Sequence, residues 1–222
     1  MESELANSFS HTLKVLEKNE LNEKDLSKFL WDNMWGVRNN LLDYNLRVKR
    51  EKSWALPDMF QDLVAQCLRS ALPSDYSVEI EPSIPLPNSK PKRHIQPDLL
   101  ILKKEGTELT RWAIVEVKIA TGFKRSYWEE DYKNRVAFLS KTTKISQDKI
   151  YHLAMYSDGK SQFNDPSDKN ILILFSEGPQ PRMKTTKECE AVDHRDFREL
   201  INAITNGTGN FKKIIKAKKD TE

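Results

Sequence analysis

Glycine is scarce in this chain, with seven in 222 residues, and no phosphate-cradling glycine motif occurs, so ATP-driven chemistry is not expected of it. Cysteine is scarcer still. Cys67 falls on an apolar helical stripe and Cys189 in a polar stretch, without metal-type spacing, which excludes a disulfide framework and a zinc site and suits a reduced compartment. No apolar run approaches the roughly 18 residues of a membrane span. The first residues lack a basic-then-apolar leader, and the expected location is the cytoplasm. An excess of one charge is also missing: 36 Lys and Arg against 33 Asp and Glu leave a formal +3, so any nucleic-acid footprint must come from local clusters. There are no repeats and no low-complexity segment. What remains, 38% hydrophobic and 31% charged residues, is the make-up of a soluble globular protein with one sizeable core.

One stretch stands apart, from Gln96 to Ala120, because there acids and a lysine interrupt strand-like apolar runs. Leu99 to Leu102 is aliphatic, Lys103 to Thr110 reads as a polar turn containing Gly106, and Arg111 to Val115 starts a second apolar run; together they predict a β-hairpin. Side chains alternate along a strand, so Glu116 and Lys118 share a face, about 7 Å apart, while Val115 and Val117 point the other way. An unpaired charge on a central strand is costly, so these two side chains need a partner, a metal or a wet cleft. Asp98, at the head of the preceding strand, can reach the same place.

Two carboxylates converging beside a lysine suit Mg²⁺-dependent hydrolysis of a phosphodiester. Hard oxygens hold the ion while it keeps waters and a substrate oxygen, bound water is activated, and Lys118 can orient that water or offset charge developing on phosphorus.

Pro97-Asp98, followed after 17 residues by Glu116-Val117-Lys118, resembles the PD-(D/E)XK nuclease superfamily, which includes type II restriction endonucleases, junction resolvases and defence nucleases. The resemblance covers the motif and, loosely, Pro57 to Phe175. It implies that Asp98 and Glu116 are metal ligands, that the Val117 carbonyl adds a main-chain ligand, and that Lys118 is the catalytic lysine, with Mg²⁺ as cofactor and Mn²⁺ as a substitute. An acid-x-Lys triplet alone carries little weight, because Asp131-Tyr132-Lys133 and Asp158-Gly159-Lys160 also have the form, and Pro-Asp recurs at Pro57. Only one pairing puts the triplet at the end of an apolar strand and Pro-Asp at the head of the strand before it. The competing reading is a surface hairpin with a solvated Glu–Lys pair.

Around this stretch the chain divides into an N-terminal helical segment (1–52), a core (53–205) and a basic C-terminal tail (206–222). Leu5, Phe9, Leu13 and Leu16, then Leu26, Phe29, Leu30, Met34 and Val37, recur at helical spacing, and Arg47, Lys49, Arg50 and Lys52 follow. From Pro57 to Leu72 a helix is predicted, with Phe60, Leu63, Val64, Cys67, Leu68, Ala71 and Leu72 as its stripe. In the family resembled, this helix often carries a Glu after an aromatic or aliphatic residue; here Gln61 follows Phe60. Gln61 lies closer to the stripe than Asp58 or Asp62 and is the better placed to look into a site beside the sheet, as a neutral ligand in the catalytic group at best; it reads equally as an ordinary boundary glutamine. Ser77 to Ile84 reads as a strand with Val78, Ile80 and Pro82 on one face and Glu79 and Glu81 on the other, either of which could replace the missing helix acid.

Pro85 to Arg93 holds three prolines and reads as an exposed loop that cannot pair regularly; its Lys90, Lys92 and Arg93 are candidate DNA contacts, as are Lys124 and Arg125 after the Glu-x-Lys strand. The loop reads equally as a tolerated surface insertion, and solvated charge is the default reading of Lys124 and Arg125. Ser126 to Ser140 is a predicted helix with Trp128, Tyr132, Val136 and Leu139 inward, followed by strands at Lys149 to Tyr156 and Asn170 to Phe175 and a helix at Arg195 to Ile204. His152 and His194 lack metal or triad spacing and read as structural. The tail, with Lys212, Lys213, Lys216, Lys218 and Lys219, is a basic helix or a frayed terminus.

The order of elements predicts an α/β fold, a three-layer restriction-endonuclease-like core with a central mixed sheet flanked by helices. The expected function is a Mg²⁺-dependent endonuclease of double-stranded DNA, of restriction or phage-defence type. A homodimer would bring two sites to two strands; no membrane or nucleotide cofactor is implied. The alternatives are a structure-specific DNA or RNA nuclease for junctions or flaps, and an inactive nuclease-like module that binds DNA or a partner.

Overall fold

Phe60, Leu63, Val64, Cys67 and Leu68 recur at three- and four-residue intervals, and the chain coils there into a helix, α1 (Ala55–Ala71), that buries all five. The computed structural model describes residues 30, 55–86, 91, 93–121, 128–157, 170–175, 197–207 and 211. The N-terminal helical segment apart from Leu30, Lys90, Lys92, Lys124, Arg125, Cys189, His194 and the tail beyond Phe211 lie outside these residues. Leu72 closes the α1 stripe, whereas Ala71, expected inside, is exposed at the last residue of the helix.

The described residues form a five-stranded mixed sheet and a two-stranded ladder. The strands are β1 (Tyr76–Ile80), β2 (Ile84–Pro85), β3 (His94–Ile95), β4 (Leu99–Glu105), β5 (Glu108–Thr121), β6 (Ile150–Ser157) and β7 (Ile171–Phe175). The large sheet has the order β1-β4-β5-β6-β7, with the first three antiparallel and β5, β6 and β7 parallel. Between β5 and β6 runs α2 (Trp128–Thr143), as a parallel connection requires. The last described helix is α3 (Arg198–Asn206).

Alternation along the strands sorts the core onto both faces of the sheet. Leu99, Ile101, Ala113, Val115, Val117, Tyr151, Leu153 and Leu172 pack with the α1 stripe, with Phe197 and with Leu200 and Ile204 of α3. Leu100, Ile114, Ile150 and Ile171 pack on the other face with Tyr132, Val136 and Leu139 of α2, the inward positions expected of that helix. The fold is therefore α/β with helices against both faces of a mixed sheet.

Several expectations are corrected. The hairpin turn is not eight residues but Gly106 and Thr107 alone: Gly106 adopts φ +65°, and the ladder runs through polar residues as far as Glu105↔Glu108. Backbone hydrogen bonding does not require apolar side chains, so polarity overstated the turn. A register shift after Ile101 leaves Trp112 without a ladder partner, so that Trp112 and Ala113, neighbours in sequence, both pack on the α1 face. The first strand stops at Ile80, because Glu81 takes φ +47° and turns the chain; Ile84 then pairs elsewhere. The proline-rich segment does pair at its base, Ile84↔Ile95 and Pro85↔His94, with the Leu86 N–H donating to the Arg93 carbonyl at 2.8 Å. A two-stranded ladder has outer edges where proline leaves no bond unmade. At the far end β5 continues through Thr121.

The indole of Trp112 donates to the Ile204 carbonyl at 2.7 Å and the Tyr151 hydroxyl to that of Ala203 at 3.1 Å, satisfying carbonyls in the last turn of α3 that have no helical donor. Gly207 then ends α3 in the left-handed conformation, where an added β-carbon would come within 3.6 Å of the Trp112 ring.

Candidate functional site

The site lies where two paired strands part. The β4–β5 ladder ends at Leu99↔Val115, yet β5 runs on to Thr121 beside β6 alone. Past Val115 the β4-facing edge of β5 has lost its strand partner, and Asp98 takes its place: the Val117 N–H donates to Asp98 Oδ2 at 2.7 Å. In return the Asp98 N–H approaches Glu116 Oε1 at 3.4 Å. Pro-Asp thus serves as a strand head that substitutes side chain for main chain.

Lys118 lies two residues beyond Glu116 on the same face, as alternation requires, opposite Ala154 of β6. Its ammonium is 2.8 Å from Asp98 Oδ2, 3.0 Å from the Val117 carbonyl oxygen and 3.9 Å from Glu116 Oε2. Three oxygens therefore converge on one cation. The Lys118 side chain is half exposed, whereas that of Glu116 is only 3% exposed. A carboxylate so buried requires compensation.

The compensating group was not anticipated. Arg135, on α2, donates from Nε to Glu116 Oε2 and from Nη2 to Glu116 Oε1, both at 3.1 Å, and from Nη2 to the Gln96 carbonyl at 3.0 Å. One guanidinium ties the second acid to the segment that carries the first. The sequence held a signal: Arg135 stands three residues after Tyr132 and four before Leu139, both buried, and so on the sheet-facing side of its helix.

His152 pairs in register with Glu116 and stands beside it on the same face, its ring 4.3 Å from that of Tyr132, edge to face. Burial, with the Lys118 and Arg135 charges nearby, holds the imidazole well below its ordinary range, so it is neutral. Its buried Nε2 has no hydrogen-bond partner.

Gln61 is buried and looks toward the site as expected, but it touches main chain: its amide is 3.3 Å from the Asp98 carbonyl oxygen and 3.3 Å from Glu81 Oε1. Of the two strand acids, Glu81 is thus the one brought to Gln61; Glu79 is exposed on β1 opposite Leu100. Partial burial, then the carboxylates of Asp58 and Glu81, raise the pKa of Asp62 on the same helix as Gln61. Arg93 is exposed beyond the two-stranded ladder.

Among the described residues, no three His, Cys, Asp or Glu side chains gather into a metal-holding group. The donor set at Asp98 is two carboxylates and a main-chain carbonyl, hard oxygens already grouped around a positive charge, which suits Mg²⁺ or Mn²⁺ in a shell completed by water. The residues fit such an ion. No helix among the described residues is long and apolar enough to cross a membrane. Comparison with protein-family models and with curated protein sequences finds no match to this chain.

Proposed function

We propose that this protein is a Mg²⁺-dependent endonuclease that hydrolyses phosphodiester bonds of double-stranded DNA, as restriction and phage-defence enzymes do. The observation that carries this reading is the convergence of Asp98, the Val117 carbonyl and Glu116 on the Lys118 ammonium. In this reading Asp98, Glu116 and the Val117 carbonyl hold the ion, with Mn²⁺ able to replace it. Bound there, the ion supplies Lewis acidity and a water of lowered pKa. Lys118, half exposed, turns from Asp98 toward the scissile phosphate and stabilises the charge gathering on its oxygens. Gln61 fixes the Asp98 main chain, and Arg135 holds the Glu116 carboxylate in one orientation. Hydrolysis adds water oxygen to phosphorus, breaks the bond to the leaving sugar oxygen and passes a proton to that oxygen. Arg93, with Lys90, Lys92, Lys124 and Arg125, supplies the backbone contacts that place the duplex, and a homodimer cuts both strands.

A second reading is favoured by the internal pairing of the acids, which have Lys118 and Arg135 as partners while Gln61 stands where an acid was expected. That reading is a module that binds DNA without cutting it.

The deciding experiment is incubation of supercoiled plasmid and mixed genomic DNA with wild type and Lys118→Ala, in Mg²⁺ or in EDTA. Discrete products that need Mg²⁺ and vanish in the variant are expected. A smear would turn the reading toward a nonspecific or structure-directed nuclease, including one for junctions, flaps or RNA. Retention of DNA in a mobility shift with no cleavage of any substrate would replace the endonuclease by the module.

A further inference from the structure

We propose that Arg135 is a positioning residue that couples metal to substrate, standing as the resident counter-ion of Glu116 so that a divalent cation and a phosphodiester bind strongly only together. The inference rests on the nuclease reading and concerns the same site.

It follows from counting charge where the charges are held. Asp98 and Glu116 carry two negative charges, and Lys118 and Arg135 two positive ones, within the hydrogen-bonded cluster already described. The neighbouring His152 is neutral and adds nothing. Glu81, at the rim, is exposed and screened by water. The metal-free cluster therefore sums to zero.

Lys118 can leave it, because its side chain is half exposed and flexible. Arg135 cannot leave as easily: it is held by three bonds to Glu116 and the Gln96 carbonyl, and its departure would strand a carboxylate only 3% exposed. A divalent cation arriving alone thus meets a fixed guanidinium across Glu116 and raises the cluster to +1 with Lys118 swung out, or to +2 with it in place. A phosphodiester arriving with it restores part of the balance, and by linkage each ligand must strengthen the other by the same factor.

The sign of this effect separates it from a merely structural role. If Arg135 only supported the fold, its loss would weaken metal binding or leave it unchanged; as counter-ion, its loss strengthens binding of metal alone. The test is calorimetric titration of the full chain with Ca²⁺, an oxygen-seeking ion of undemanding geometry, with and without a short DNA duplex. For wild type, the duplex should tighten Ca²⁺ binding by about tenfold or more, the order expected of one nearby charge in a partly wet site. For Arg135→Gln, Ca²⁺ without duplex should bind about tenfold tighter than to wild type, with the duplex effect largely lost. Arg135→Lys, which keeps the charge, should retain the coupling.

Unchanged or weaker Ca²⁺ binding by folded Arg135→Gln overturns the proposal, as does equal wild-type affinity with and without duplex. Should Arg135→Gln not fold by circular dichroism, the uncharged Arg135→Met takes its place in the same test, and equal wild-type affinity with and without duplex still overturns the proposal. Mg²⁺-dependent cleavage without coupling would remove this inference and leave the nuclease reading standing. Absence of any metal binding, even with duplex, together with absence of cleavage, removes both.

Discussion

Lys118 reaches three oxygens because β5 outruns β4, and that geometry was partly legible: a charged triplet at the end of an apolar strand is conspicuous, since burial there penalises every unpaired charge. Asp98, Glu116, Lys118 and the inward tendency of Gln61 could be read for that reason. Arg135 was missed despite its spacing from Tyr132 and Leu139, because Glu130, Asp131 and Lys133 surround it and a charge on a helix is ordinarily solvated. His152 also read as merely structural; its place beside Glu116 depends on the β5–β6 register, which no local pattern encodes.

The neutral state of His152 carries a prediction. An unfolded chain takes up a proton at this residue below its ordinary 6.5, whereas the folded one, with the imidazole lowered well beneath that value by burial first and by Lys118 and Arg135 next, does not. The unfolded state binds more protons, so stability is complete above 6.5 and falls as pH decreases, until the folded imidazole itself titrates. Thermal melts at about pH 7.5 and about pH 5.5 should show a lower Tm at the acid pH. The difference should shrink in His152→Gln, and an equal difference in that variant would show that the acid sensitivity lies elsewhere.

At the scale of elements, periodicity predicted α1, α2, α3, β6 and β7 with ends displaced by only a few residues, because one apolar face packs against one layer. What it missed were events that depend on pairing: the tight turn at Gly106, the bulge at Trp112, the stop at Glu81 and the short ladder at Pro85. Each is set by backbone conformation or by a partner strand, and side-chain polarity reports neither. The α1 stripe offers a quantitative check. Leu68 is fully buried, so Leu68→Ala should cost about 2–5 kcal/mol in denaturant unfolding through lost burial and the cavity left behind. Arg69→Ala, one residue along and exposed, should stay within about 0.5 kcal/mol of wild type. Similar losses from the two would mean that α1 does not face the sheet as described.

For the whole molecule, the order of helix, three strands, helix and two strands predicted an α/β fold with a mixed sheet, and the structure has that architecture. The activity is a proposal, and its metal can be tested without any nucleic acid. An ion that binds only the folded chain stabilises it by mass action, about 2.7 kcal/mol at a hundred times its Kd. For a chain of this size that is a rise in Tm of about 5–10 °C. Saturating Mg²⁺ should raise the Tm of wild type and of Glu79→Ala, whose carboxylate lies away from the cluster, but not that of Asp98→Ala. Equal shifts in all three would place the ion elsewhere.

The Gly106–Thr107 turn stands at the opposite end of β5 from Glu116, about 30 Å away along the strand. A β-carbon built on Gly106 meets nothing within 4 Å. That tip is a natural handle. A dye coupled to Thr107→Cys would project into water far from the acids, while Cys67, buried and with its thiol pushed up to about 12, would stay inert to the same reagent. With Cys189 replaced by serine, one fluorophore per chain could test for the proposed encounters with nucleic acid one molecule at a time, leaving the end of the sheet that carries Asp98 and Glu116 untouched.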